Sequence, residues 1–360
     1  MKTIDQLNDI AGKKVLLRAD FDVAVNADGT VREPFRIQRQ RATIDFLLSR
    51  GARVLIAAHI SAIPSFAAIA EQISTIVGQP LSVLKTLEDI PAFLAGNETI
   101  ALLENIRTWP EEEKNDDAFA ATLAHGFDYY VNNAFAACHR EHASVVAIAR
   151  HLPSYAGLLV EEEVATLDEV IRAPAAGKVV IMGGAKASTK IPVIKYLLDK
   201  AESVLVGGVI ANDMAKALGR DVGSSVVDEN YAELLAGLDL ADARLVIPED
   251  FVIADGKFLD IGARSTEQFL SSIGKARTVV WNGPLGMFED ERFRMATSRV
   301  AQAIVDSGAG SIIGGGDTIT ALDTSGLLDK FGFVSTGGGA MLMFLAGEKL
   351  PGLEVLGYYT

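Results

Sequence analysis

At 360 residues and 38.3 kDa the chain exceeds what one hydrophobic core usually supports, which points to two domains of roughly 150 to 200 residues. With 49% hydrophobic and 22% charged residues it can bury a sizeable core, and its net charge of −14 argues against general nucleic-acid or anionic-membrane binding, because phosphates attract basic surfaces. One cysteine, Cys138, excludes an internal disulfide, MKTIDQLNDI lacks a signal-peptide core, and no apolar run nears the roughly 18 residues of a membrane span, so a cytoplasmic protein is expected.

Short β-branched runs alternate with longer helix-like segments, the pattern of parallel sheets made from βαβ units, and the expected class is α/β. In chain order the first-half runs are KKVLLRADFD, ARVLIAAHIS, TIALLENIR and FDYYVNNAF. The proline-bounded segment HLPSYAGLLVEEEVATLDEVIRAP follows and is expected to be a linker helix. The second-half runs are KVVIMGG, SVLVGG, TVVWNGPLG, GSIIGGGD and GFVSTGGGA.

What closes each run differs between the halves. First-half runs end in Arg18 and Asp20, His59, Arg107, and the segment from Asn133 to Arg140, whereas second-half runs end in glycines. Ligands of open parallel sheets bind outside the carboxyl ends of the strands, so each half is expected to carry one site there. A basic, polar edge suits a small multivalent anion. A glycine edge lets backbone amides and helix N-termini approach phosphates.

None of the glycine clusters has dinucleotide-fold spacing, there is no P-loop, and HRE at His139 to Glu141 is not followed by a protein-kinase catalytic loop. GGAKASTK carries Lys186 and Lys190 one helical turn apart, able to reach one phosphate chain from one face. Asp317 and Thr318 follow three glycines, and beside phosphates a carboxylate there can hold Mg²⁺ as readily as it can cap a helix.

LLENIRTWPEEEKND, HREHAS, GGAKASTKI, WNGPLGMFE, IIGGGDT and STGGGA, in this order and approximate spacing, resemble the phosphoglycerate kinase family over nearly the whole chain. The resemblance implies two Rossmann-like domains: 1–153 for the acid substrate, a hinge helix over 154–172, 173–345 for the nucleotide, and a tail over 346–360 returning to the first domain. It also implies a monomer that acts on 3-phosphoglycerate or 1,3-bisphosphoglycerate with ATP or ADP as co-substrate and Mg²⁺ as cofactor.

Matching motifs gives an acid-binding set of Asp20, Phe21, Asp22, Arg36, His59, Arg107 and Arg140. The nucleotide set is Lys186, Lys190, Asn282, Glu289, Gly315, Gly316, Asp317 and Thr318, with Asp317 at the metal and Glu289 at the ribose. The nucleophile of the ATP-consuming direction is a carboxylate, ionised near neutral pH, so no general base is required. Fixed cations must stabilise the transferring group, and Arg36 and Lys190 are the catalytic candidates. A thiol mechanism at Cys138 is not needed, and His125 and His151 are read as structural.

Several positions depart from the family pattern. Asp22 stands where Asn is usual, Ala62 where an arginine normally binds the substrate phosphate, and Asn133, Ala136 and Ala137 replace an Asp and a Gly-Thr pair. The acid pocket gains one negative charge and loses one positive charge, while Arg39 and Arg41 lie close enough in sequence to compensate. The stretch from Ser65 to Glu98 is short for the family. Phosphoglycerate kinase activity with a raised KM is the leading expectation; a kinase for another small carboxylic acid and a nucleotide-binding protein without catalysis are the alternatives.

Overall fold

The computed structural model describes residues 1–7 and 9–359, so Thr360 of the expected tail lies outside the described residues. The Val-, Ile- and Leu-rich runs form short strands in two sheets that are parallel throughout. The first comprises β1 Lys14–Arg18, β2 Arg53–Ala57, β3 Ser82–Leu84, β4 Ile100–Leu103, β5 Tyr129–Asn132 and β6 Ser154–Ala156, in the order β3-β4-β2-β1-β5-β6. The second contains β7 Lys178–Met182, β8 Ser203–Val206 and β9 Leu245–Val246. A separate antiparallel hairpin follows, β10 Phe251–Ala254 with β11 Lys257–Ile261. Then β12 Thr278–Asn282, β13 Gly310–Gly314 and β14 Phe333–Ser335 complete the second sheet, in the order β14-β13-β12-β7-β8-β9.

Both faces of each sheet must be covered, which is why these strands are nearly continuous apolar runs. In β1, Val15 and Leu17 enter one core with Val54, Ile56 and Phe66, while Leu16 enters the opposite core with Leu55, Leu103 and Tyr130. Each such side chain contributes about 1.5 to 3 kcal/mol when fully buried.

The chain divides into two compact units, Met1–Ala165 with Lys349–Thr360, and Thr166–Glu348. The division falls within the helix Leu158–Arg172. Residues 154–156, expected to lie in that helix, instead form β6, pairing parallel with β5 while Tyr155 packs edge-on to Tyr129. The helix starts only after Gly157, where a Cβ would lie 2.2 Å from Asn133 Oδ1.

Strand order fixes where each unit can carry a ligand. From β1 the first unit builds outward through β2, β3 and β4, then crosses to β5 and β6 on the other side, so its crevice lies at the carboxyl ends of β1 and β5. The second unit builds from β7 to β8 and β9, then crosses to β12, β13 and β14, which puts the equivalent crevice between β7 and β12.

Candidate active site

Parallel register delivers the basic strand ends of the first unit to one edge. Arg36, in the short helix Phe35–Gln38, donates from Nη1 to the buried Asp20 carboxylate at 3.3 Å. Arg107 donates from Nη1 to Ser61 Oγ at 3.2 Å and holds Nε 3.4 Å from Glu113, but its Nη2 is buried without a partner. Half-buried Arg140 makes no side-chain hydrogen bond among the described residues. Burial, followed by the charge of Arg140, pushes the Arg107 pKa below its ordinary value. Cations that press on one another in this way are relieved by a bound anion.

A buried chain absent from the sequence-predicted set supports this edge. Arg18, fully buried, donates from Nε to Ser144 Oγ at 2.8 Å, from Nη1 to the Ala19 carbonyl at 2.6 Å and from Nη2 to His59 Nδ1 at 3.1 Å. Ser144 in turn donates its hydroxyl (2.6 Å) and amide (2.8 Å) to Glu112, whose pKa burial raises against the pull of Arg18. His142, 3.8 Å from Glu112, is pushed down to about 4 by burial and by Arg107 and Arg140. The fragment HREHAS contains Ser144 and His142, so the signal was present; what it lacked was any indication that Arg18 and Glu112 meet there.

The Arg18 contact fixes the His59 tautomer. Because Arg18 can only donate, Nδ1 accepts, so the neutral ring carries its proton on Nε2, which faces the Asp22 carboxylate at 3.4 Å. Burial lowers the His59 pKa, the Asp22 contact opposes this, and the charges of Arg18 and Arg107 lower it further. For Asp22 burial acts to raise the pKa, but the contact with His59 and the Ser61 amide, donating at 2.8 Å, hold it well below the usual carboxylate range. Asp22 is therefore a fixed negative charge in the basic cluster.

The other departures have clear structural consequences. Ala62 is exposed and puts no cation at the edge. Arg39 and Arg41 do not replace one: Arg39 pairs with Glu162 at 2.8 Å and Arg41 with Asp45 at 3.3 Å. Asn133 is fully buried, with Oδ1 accepting from Thr43 Oγ1 (2.8 Å) and the Leu159 amide (3.0 Å) and Nδ2 donating to Gln40 Oε1 (2.8 Å). It thereby ties β5 to the first turn of the helix Leu158–Arg172. Ala137 is buried and Ala136 half-buried.

Phe21 puts its ring in the core, edge-on to Phe66 at 6.2 Å, so it offers a ligand no side-chain contact. Cys138 is buried with its thiol pushed up to about 12, as a packing residue should be. His125 caps the end of the helix Asp117–Ala124, and His151 lies 3.2 Å from Asp117.

In the second unit the glycine ends divide into two groups. Gly183, Gly207, Gly208 and Gly283 pack strand end on strand end, and a Cβ on Gly208 (φ +59°) would meet Gly184 backbone atoms at 2.6 Å. These glycines serve the fold. Gly315 (φ +96°) lies against Asn282, whose Nδ2 is buried without a partner, and Gly316 faces open space. Thr318, expected at the phosphates, is fully buried and its Oγ1 accepts from the Gly283 amide at 2.7 Å, which corrects the expectation for its side chain. Asp317 lies in the first turn of the helix Gly316–Asp323.

Lys186 is exposed at the N-cap of the helix Ala187–Leu197, while Lys190 is buried on it, with Nζ passing over Gly184. Burial lowers the Lys190 pKa, Asp317 opposes the shift and Lys186 adds to it. No hydrogen-bond acceptor among the described residues takes its ammonium.

Beside these groups lies a cavity of about 230 Å³ with apolar walls that include Val226, Phe258, Leu285 and Met287. Its polar lining includes Asn212, Asp260, Glu289 and Asp317. Asp260 accepts the Ile261 and Ala296 amides at 2.9 and 3.1 Å, and burial raises its pKa to about 6. The sequence reading missed this wall because Phe251 and Phe258, stacked at 4.2 Å, come from the hairpin and lie outside the glycine motifs. An apolar cavity beside unpartnered donors can hold a base on its hydrocarbon walls and phosphates at the donors.

The family model described as phosphoglycerate kinase matches residues 4–348. The chain belongs to the phosphoglycerate kinase family. The phosphoglycerate kinase of Rubrobacter xylanophilus is 42% identical, covering 97% of this chain and 96% of its own, and that of Agrobacterium fabrum is 39% identical, covering 99% and 98%. Among solved structures, phosphoglycerate kinase from Pyrococcus horikoshii superposes with a TM-score of 0.88 at 30% identity over 99% of both chains. The Coxiella burnetii phosphoglycerate kinase gives 0.83 at 31% identity, over 99% of this chain and 98% of that one. Family membership makes this chain a phosphotransferase with a carboxyl group as acceptor, and adenine nucleotide is the family's co-substrate.

Proposed function

We propose that the basic edge of the first unit binds 3-phosphoglycerate through Arg36, His59, Arg107 and Arg140, and that the Lys190 edge of the second binds ATP or ADP. The reaction is reversible transfer between 1,3-bisphosphoglycerate and ADP, giving 3-phosphoglycerate and ATP. The observation that carries this reading is which cations lack partners. Arg107 keeps one buried nitrogen unpaired, and Arg140 and Lys190 make no side-chain hydrogen bond among the described residues. Unsatisfied buried donors are costly, and a multivalent anion at each edge removes that cost.

With the acceptor carboxylate already ionised, the chain's task is positioning and charge. Arg36, oriented by Asp20 at the acid edge, and Lys190, beside Asp317 at the nucleotide edge, each supply positive charge to the groups bound there. Asp20 is an orienting group in this scheme, and Glu289, exposed on the cavity wall, suits a ribose. Asp22 competes with the acid for the His59 Nε2 proton and adds a like charge, which raises the KM without removing the site.

Mg²⁺ fits on chemical grounds. No group of three or more His, Cys, Asp or Glu able to hold a metal occurs among the described residues, so Asp317 alone would hold the ion and phosphates and water would complete its shell, as suits Mg²⁺. It would neutralise phosphate charge. The acidic surface and this small-molecule chemistry support a cytoplasmic monomer without nucleic-acid or membrane partners. The two edges are tested by calorimetry: Arg140→Ala should weaken 3-phosphoglycerate binding and leave ADP binding intact, and Lys190→Ala should weaken ADP binding and leave 3-phosphoglycerate binding intact. Loss of both ligands in either folded variant would overturn the assignment.

A further inference from the structure

Of the polar side chains on the cavity wall, Asn212, Lys257 and Asp260 are not used by the reaction. Asn212, in the helix Gly208–Ala217, is only 5% exposed, yet it lines the apolar part of the cavity near Val226 and Leu285. Its Nδ2 donates to the Val226 carbonyl at 3.0 Å. That contact settles the amide orientation, because a carbonyl oxygen can only accept and the atom facing it must be the nitrogen. No donor among the described residues reaches Oδ1, and Oδ1 is not among the occluded, unpartnered atoms. The neighbouring carboxylate, Asp260, has both oxygens on backbone amides.

The geometry points to Asn212 as the residue that selects the purine: its Oδ1 accepts from the exocyclic amine of a 6-aminopurine and disfavours a 6-oxopurine. The inference rests on the proposed nucleotide site. A buried acceptor paired with an N–H gains a hydrogen bond; faced with a carbonyl lone pair it is left unpaired and repelled. The surrounding walls, Val226, Phe258 and Leu285, are hydrocarbon and discriminate between purines only by shape. Of the other polar lining groups, Lys257 is exposed to solvent and Asp260 has its oxygens on backbone amides, so the selectivity falls on the one Asn212 oxygen, fixed in place by the Val226 carbonyl.

The test compares ATP, ITP and purine riboside triphosphate, which has no substituent at carbon 6, as donors to 3-phosphoglycerate. Wild-type kcat/KM should fall about tenfold or more from ATP to ITP, with the unsubstituted purine between them. Asn212→Ala should bring the ATP and ITP values to within about threefold of each other, chiefly by loss with ATP. Thermal melting establishes that the variant folds, and the wild-type series with three donors stands without it. Equal use of ATP and ITP by the wild type, or an unchanged ratio in folded Asn212→Ala, overturns the assignment. If activity survives Lys190→Ala undiminished, the nucleotide site itself is misplaced; equal use of the two purines by an enzyme that needs Lys190 sinks only Asn212.

Discussion

Asp22→Asn isolates the fixed negative charge at the acid edge. Asn keeps an oxygen for the Ser61 amide, now 2.8 Å from Asp22, and ends the claim of the carboxylate on His59 Nε2. For an anion held by His59 and Arg107 we take a separation from that charge on the order of 7 Å, inside the ~10 Å Debye length at 0.1 M salt. At an effective dielectric of about 20 to 40, removing the repulsion is worth about 1 to 2 kcal/mol. The KM for 3-phosphoglycerate should then fall about 5- to 30-fold, with kcat within about twofold because the charge acts on ground and transition states alike. The gain should shrink as salt rises from about 0.05 to 0.5 M. Stability should move the other way, by about 1 kcal/mol, since a charge-assisted hydrogen bond is lost. Coupled-assay kinetics at several salt concentrations read the first effect and urea unfolding the second. A KM that is unchanged or higher at every salt concentration would refute the argument that Asp22 opposes the acid.

Two further changes probe the scaffold. Asn133→Leu strands Thr43, Gln40 and the Leu159 amide together, so urea unfolding should show a loss of about 3 kcal/mol or more, with insoluble protein as the extreme result. Asp213 is fully buried, with Oδ1 on the Asp228 amide at 2.8 Å and Oδ2 without a partner. Burial, partly offset by that amide and reinforced by the Asp228 charge, raises its pKa from 3.8 to about 6. A raised carboxyl pKa means the folded state holds the proton more tightly, so its stabilising contribution is full below about pH 4 and is lost as pH climbs to about 6. Asp213→Asn should therefore raise the melting temperature at pH 8 and change it little at pH 4; the opposite order would contradict the assignment.

Alternating apolar runs made the two parallel sheets legible, and the contrast between basic and glycine strand ends located both edges. Where the sequence fell short, the reason was packing between segments distant in the chain. The glycines after β7, β8 and β12 look like a phosphate cradle, yet Gly183, Gly208 and Gly283 are needed because backbone meets backbone there, and Gly207 because Leu285 packs onto it. Thr318 follows the glycines of a phosphate motif, but its buried hydroxyl oxygen accepts from the Gly283 amide, a contact spanning 35 residues. Arg18 was visible as a strand end, but its work of fixing the His59 tautomer depends on Ser144, 126 residues away. Asn212 carries no motif, and only the Val226 carbonyl shows which of its atoms faces the cavity.

Arg36 at the edge of the first unit and Lys190 at the edge of the second are the two cations proposed to matter for transfer. The direct measurement is steady-state transfer from ATP to 3-phosphoglycerate by wild type, Arg36→Ala and Lys190→Ala, with both substrates saturating. The wild type should turn over, and each variant should lose about 100-fold or more in kcat, the range found when a preorganised charge-stabilising donor is removed. Either variant retaining wild-type kcat would contradict it.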